Sequence, residues 1–142
     1  MTNTVIFHNP ACGTSRNVLA LIRNAGVEPT VVEYLKTPLS RQELVALVTQ
    51  LGLPVRAVLR IKDTPYAAMG LGNPDLSDDT LIDALVAHPL LLERPIVTTV
   101  LGARLCRPSE TVLDILPLTQ QGQFVKEDGQ PVVNAQGERI AT

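Results

Sequence analysis

The chain has 142 residues, 45% hydrophobic and 18% charged, with a formal net charge of -2. This size and balance exclude intrinsic disorder and fit one globular domain. The slightly acidic charge speaks against a nucleic-acid partner, and no apolar run reaches the ~18 residues of a membrane span. Cys12 and Cys106 are the only cysteines, too few for a disulfide scaffold. Residues 1–7 have no basic n-region and no long apolar stretch, the pattern of a chain without a secretory signal, working in the reducing cytoplasm. Nine of the twelve basic residues are arginines, the side chain best suited to holding oxyanions through forked hydrogen bonds.

In chain order, residues 4–8 (TVIFH) read as a buried strand. Asn9-Pro10-Ala11-Cys12-Gly13 is a turn, after which Thr14 or Ser15 caps a helix that runs to about Asn24 and stops at Gly26. Residues 30–35 (TVVEYL) form a second strand, so the chain opens β-α-β, normally a parallel pair. Ser40 and Glu43 make a capping box for a helix over residues 41–51, with Gly52 as its stop. Pro54 begins another helical piece containing Arg56 and Arg60. Residues 61–75 mix turn formers with a short apolar patch. Ser77 or Asp78 caps a helix to about Ala87.

Residues 96–100 then read as a strand, 101–103 as a turn, and 104–106 as the hairpin's second strand. Pro108-Ser109-Glu110 opens a last helix to about Leu116. The segment from about 118 to 142, rich in Gln, Gly and charge, is expected as an extended tail. The order β-α-β, helices, β-β-α is the thioredoxin-like α/β arrangement, a small mixed sheet with flanking helices. It is expected as one domain over 1–142, with a helical insert at about 40–92 between the two halves.

Cys12 is the leading candidate for chemistry. It sits between a strand and a helix, where the N–H groups of Gly13, Thr14, Ser15 and Arg16 are expected to face an anion at the positive end of the helix dipole. A thiolate is such an anion, and helix N-termini with nearby cations lower thiol pKa values. His8, four positions earlier, adds a cationic or hydrogen-bonding neighbour. A dithiol of the Cys-x-x-Cys kind is excluded by Ser15, and a phosphatase loop with arginine six positions after the cysteine is excluded by Val18. What is left is one thiol beside an anion pocket, with its partner thiol supplied from elsewhere; Cys106 is one candidate, though its spacing proves nothing. Arg16, Arg60, Arg94 and Arg107 are the candidate cations for an oxyanion. No zinc pattern, P-loop or dinucleotide fingerprint is present, so no bound metal or nucleotide cofactor is expected. These residues alone leave arsenic, phosphorus and sulfur oxyanions open as substrates.

The segment His8-Asn9-Pro10-Ala11-Cys12-Gly13-Thr14-Ser15-Arg16-Asn17 resembles the active-site segment of the glutaredoxin-linked arsenate reductases, the ArsC type. Arg94-Pro95-Ile96-Val97 and Arg104-Leu105-Cys106-Arg107-Pro108-Ser109-Glu110 resemble that family's later segments, as do the residues around Arg56 and Arg60 and the charged Lys126-Glu127-Asp128-Gly129. The likeness runs over nearly the whole chain. It implies that Cys12 attacks arsenate, that Arg60, Arg94 and Arg107 hold the oxyanion, and that His8 helps lower the thiol's pKa. It further implies glutathione as co-substrate, glutaredoxin as the partner that recycles the mixed disulfide, a cis Pro95, and arsenite as product. A wider family of thioredoxin-like proteins shares the Cys loop and the Arg-Pro, and two other readings stand beside the first: a monothiol reductase of glutathione mixed disulfides, its anion pocket holding a glutathione carboxylate, and a non-enzymatic thiol regulator that binds RNA polymerase, as some of that wider family do. Relatives of the latter kind often carry Cys-x-x-Cys, against which Ser15 speaks.

Overall fold

Three alternating β-branched and aromatic residues, Val5–Phe7, form β1, with Ile6 fully buried. In this computed structural model, which describes residues 3–140, β1 is the inner strand against which the rest of a four-stranded sheet is laid. β2 (Thr30–Val32) pairs with it in parallel, Ile6 opposite Val31, as the β-α-β opening requires. β3 (Ile96–Thr99) pairs on its other side in the antiparallel sense, Ile6 opposite Val97, and β4 (Gly102–Leu105) closes a hairpin with β3. The order β2-β1-β3-β4 is the small mixed sheet of the thioredoxin-like fold.

The helix α1 (Gly13–Asn24) follows β1. Val18, Leu21 and Ile22 recur at helical spacing and are fully buried. They pack with Ile6, Val97, Cys106, Val112 and Ile115 into one core, and burying each such aliphatic side chain stabilises by about 1.5–3 kcal/mol. The helix expected after β4 to about Leu116 is a 3-10 helix, Ser109–Asp114. Its short run still buries Val112 against α1. The hairpin turn is at Val100 and Leu101 rather than at residues 101–103, so Gly102 and Ala103 belong to β4.

The tail, expected as an extended appendage packed on the domain or partly mobile with Phe124, Val125, Val132 and Val133 as apolar anchors, is a second hairpin built on those anchors. β5 (Phe124–Val125) pairs antiparallel with β6 (Pro131–Val133), and Val132 and Val133 complete the core under α1. Its entry is fixed by Gln120, buried and bonded to the Leu21 carbonyl and to Asn24. The two valines are adjacent, and a Pro precedes them, so no period-2 pattern announced this pair.

Residues Glu33–Glu93 form a separate compact unit, inserted in the chain between β2 and β3. Its first helix, α2 (Arg41–Leu51), begins at the expected capping box. Glu43 N–H donates to the Ser40 hydroxyl at 3.1 Å, and Ser40 N–H donates to the Glu43 carboxylate at 3.0 Å. It ends at Gly52 with φ +69°, a left-handed cap that glycine adopts without strain. Its second helix, α3 (Asp78–Ala87), starts at Ser77, whose hydroxyl receives Thr80 N–H at 3.2 Å. Leu44, Leu47, Leu81, Ile82 and Leu85 supply its buried faces. The piece after Pro54 is a single 3-10 turn, Val55–Val58, which ends before Arg60. Residues 61–75 are a run of turns.

Candidate active site

The loop from His8 to Cys12 is folded by its own polar side chains. The Asn9 side-chain oxygen accepts Ala11 N–H at 3.0 Å, and the Asn9 carbonyl accepts Cys12 N–H at 3.0 Å. The first is the bond of an Asx turn, which explains an asparagine before Pro10, and the second closes an ordinary β-turn over the same residues. Ser15 then ties the loop to the helix. Its hydroxyl lies 2.6 Å from His8 Nδ1 and accepts Asn9 N–H at 3.1 Å. His8, Asn9 and Ser15 are all buried, so this small network is protected from water.

The helix cap is Cys12, not Thr14 or Ser15. Ser15 cannot cap because its hydroxyl is committed backward to His8 and Asn9. With Cys12 as cap, the first-turn donors are the N–H groups of Gly13, Thr14 and Ser15. Arg16 N–H is one residue too far along: it donates to the Cys12 carbonyl at 3.0 Å and starts the helical ladder. The Cys12 sulfur makes no short capping bond, yet it faces the Ser15 N–H closely enough to be stabilised by it as a thiolate.

Cys12 is half-buried. Burial alone pushes its thiol up. The Ser15 N–H, the hydrogen bond and charge of Arg94, and the hydrogen bond of Arg107 together outweigh burial and bring the thiol below its ordinary 9.0. Arg107 Nη1 lies 3.9 Å from the sulfur and donates to the Arg94 carbonyl at 3.0 Å, so the two arginines are linked through the backbone as well as through the thiolate. Arg94 stands just before β3 and Arg107 just after β4, so the hairpin register delivers both to one end of the sheet. Both are followed by cis prolines, Pro95 and Pro108; the resemblance implied the first and not the second.

The structure thus brings together Cys12, Gly13, Thr14, Ser15, His8, Arg94 and Arg107. Arg16 is beside them with its guanidinium already engaged, by Glu127 and by the Pro10 carbonyl. His8 meets the loop through Ser15. Arg60 belongs to the other unit, where it pairs with Glu93 at 2.8 Å with both side chains largely shielded, 12% and 19% exposed, and donates to the Lys62 carbonyl at 3.2 Å. Cys106 is fully buried in the core. Among the described residues no group of three or more His, Cys, Asp or Glu is placed to hold a metal ion, and no helix is long and apolar enough to cross a membrane. Asn9, Glu110, Lys126 and Glu127 were read from sequence only as parts of a turn, a helix start and a family-like charged segment, not as site residues. Asn9 had a local signal, the Asn-Pro turn; Glu127 had no local signal, being 111 positions from the arginine it holds.

Known proteins resemble this chain over most of its length. The family model "ArsC family" matches residues 7–115. The chain is 62% identical to the arsenate reductase of Rhizobium meliloti (strain 1021) over 135 residues, 95% of this chain and 96% of that protein. It is 56% identical to the arsenate reductase of Escherichia coli (strain K12) over 140 residues, 99% of each. Among solved structures, an arsenate reductase from Vibrio cholerae superposes with a TM-score of 0.77 at 50% identity, covering 80% of this chain and 97% of that one. With residues 7–115 matched by the family model and nearly the full length covered by these relatives, the chain belongs to the ArsC family.

Proposed function

We propose that this protein is an arsenate reductase, an oxidoreductase of arsenic detoxification that converts arsenate to arsenite with glutathione and glutaredoxin. The observation that carries the reading is the Cys12 thiol, held as a helix cap and lowered by Ser15 N–H, Arg94 and Arg107. The full-length likeness to proteins named arsenate reductase supplies the substrate, which the geometry alone does not select.

An anionic nucleophile approaching an anionic substrate needs positive charge on both sides of the new bond. Arg94 and Arg107 supply it around the sulfur, and the Gly13, Thr14 and Ser15 N–H groups add aligned donors. The resemblance assigns Arg60 to the same oxyanion. In the forward step the Cys12 sulfur bonds to arsenic(V) and one arsenate oxygen leaves as water. Glutathione's thiol displaces a second oxygen in the same way. A glutaredoxin thiolate then attacks the glutathione sulfur. The electron pair of that sulfur–arsenic bond stays on arsenic, which falls to the trivalent state, and a glutaredoxin–glutathione disulfide leaves. Water cleaves the remaining Cys12–arsenic bond and frees arsenite. Two thiols become one disulfide, which balances the two electrons. The scheme calls for glutathione as a co-substrate and for no bound cofactor, and its reducing partners place the protein in the cytoplasm.

The test is a coupled assay of purified protein with arsenate, glutathione, glutaredoxin, glutathione reductase and NADPH. Turnover that needs both arsenate and glutaredoxin is the expected result. NADPH oxidation that persists without arsenate, on a glutathionylated substrate, would favour general disulfide reduction and overturn the reading.

A further inference from the structure

The β5–β6 hairpin is remote from Cys12 in sequence, yet its turn is fastened to both segments that bear on the thiol. The Glu127 carboxylate receives Arg16 at two points, Nε to Oε2 and Nη2 to Oε1, each at 2.9 Å. The remaining arm of that guanidinium, Nη1, donates to the Pro10 carbonyl at 2.9 Å, inside the loop that ends at Cys12. Glu127 N–H donates to Asn17 Oδ1 at 3.1 Å. A Cβ placed on Gly13 would meet Arg16 Nη2 at 3.6 Å and Glu127 Oε1 at 3.8 Å, so the ion pair lies against the residue that follows Cys12. The neighbouring Lys126 pairs with Glu110 at 2.8 Å, with side-chain exposures of only 11% and 14%. Glu110 is three residues past Arg107.

An exposed ion pair by itself contributes little to stability. A two-point guanidinium–carboxylate contact has a different use: it fixes the plane of the guanidinium, and so fixes whatever the third arm holds. Here that is the Pro10 carbonyl. We propose that Glu127 is a positioning residue for the Cys12 thiolate: through Arg16 it holds the loop over residues 9–13 where Ser15 N–H and Arg107 reach the sulfur. The inference rests on the reading of Cys12 as the reactive thiol and is independent of which oxyanion the site takes.

Charge and position make opposite demands, so the sign of one measurement decides. Arg16 and the Cys12 thiolate feel each other's charge. If Glu127 acted only through its charge, neutralising it would leave the Arg16 charge uncompensated and the thiolate better stabilised. If Glu127 acts by position, its loss loosens the loop and the thiolate is stabilised less. The other charged or hydrogen-bonding groups around the sulfur, Ser15, Arg94 and Arg107, with His8 behind Ser15, are unchanged in the comparison.

The experiment is the rate of Cys12 alkylation by iodoacetamide as a function of pH in the intact protein, with Cys12→Ser as the blank. Glu127→Gln is expected to raise the midpoint by about half a pH unit, a roughly threefold slower reaction at pH values below it. Arg16→Lys, which keeps the charge and loses the two-point contact, is expected to do the same, and Glu127→Asp to recover part of the loss. A midpoint that is unchanged or lower in Glu127→Gln, with thermal unfolding unaltered, overturns the proposal. Should Glu127→Gln fold poorly, Arg16→Lys decides by the same criterion. Failure of arsenate turnover in the unmodified protein would sink the functional reading while leaving this titration standing, so the two failures are distinguishable.

Discussion

The two cysteines are the same side chain placed in two environments of one structural unit, and they end as opposites. Cys106 sits at the end of β4, fully buried among aliphatic side chains; burial pushes its thiol up to about 12, against only a weak downward pull from Arg104. Cys12 is half-buried at the cap of α1, and the donors around it carry its thiol down past the burial effect. Burial raises both. What separates them is whether aligned N–H groups and guanidinium charges meet the sulfur, and that is decided by backbone placement. Cys12 is therefore built to react, whereas Cys106 serves as a small hydrophobe.

The largest break in this contrast is Cys12→Ser. A hydroxyl at that position stays protonated at neutral pH, and no second thiol can take over, because Cys106 is sealed in the core. Turnover in the coupled assay should fall by at least about 10⁴-fold, with iodoacetamide labelling of the folded protein lost as well. Labelling that continues on Cys106 would mean the core opens far more readily than its burial implies. Next in size is Arg94→Ala. Arg94 acts on the thiolate by both hydrogen bond and charge, whereas Arg107 acts by hydrogen bond from 3.9 Å. Removing Arg94 should cost about 10²–10³-fold in kcat/KM, the size seen when one preorganised donor is deleted from an anion site, and Arg107→Ala should cost less. The alkylation midpoint should rise in both, more in Arg94→Ala. The reverse ranking would show that Arg107 moves closer when substrate binds.

Ser15→Ala tests how the reactive environment is held. The hydroxyl joins His8 Nδ1 and Asn9 N–H, and all three residues are buried. Its loss leaves two buried polar atoms without that partner and should lower unfolding free energy by about 1–3 kcal/mol, measured by urea denaturation. The Ser15 backbone N–H remains, so thiol reactivity should drop by less than in Arg94→Ala. Equal losses would mean that the hydroxyl, rather than the arginine, sets the sulfur's position.

These differences also mark what could be read before the structure. The capping box at Ser40, the stop at Gly52, the cap at Ser77 and the β-α-β opening follow from local rules, in which neighbours a few residues apart satisfy each other's backbone groups. The strand–turn–helix position of Cys12 was legible for the same reason. The cap itself was misassigned to Thr14 or Ser15, because a hydroxyl near a helix start usually caps, and only the fold brings His8 back to claim it. The 3-10 form of Ser109–Asp114 and the tail hairpin depend on what they pack against, so their sequences carry no period of their own. Glu127 lies furthest from local rules: nothing near residue 127 announces an arginine at residue 16.

The smallest expected effect concerns Cys106, and it fades as pH rises. Cys106→Ala should leave kcat/KM within about twofold, since nothing in the site touches it, and should cost about 1 kcal/mol at pH 7 for the lost packing. An unfolded thiol ionises near 9.0, while the folded one holds its proton to about 12. Between those values the unfolded state binds fewer protons than the folded state, so this cysteine subtracts stability as pH rises through 9. At pH 10 the subtraction is on the order of 1 kcal/mol, comparable to the packing it supplies. Cys12 has the opposite sign: its folded thiol ionises earlier than the unfolded one, so its contribution is complete above pH 9 and is lost as pH falls through the lowered folded value. Urea midpoints of wild type and Cys106→Ala under reducing conditions should therefore differ at pH 7 and converge near pH 10. A gap that stays constant between the two pH values would show that water reaches the Cys106 sulfur, and that the two cysteines differ by less than their surroundings indicate.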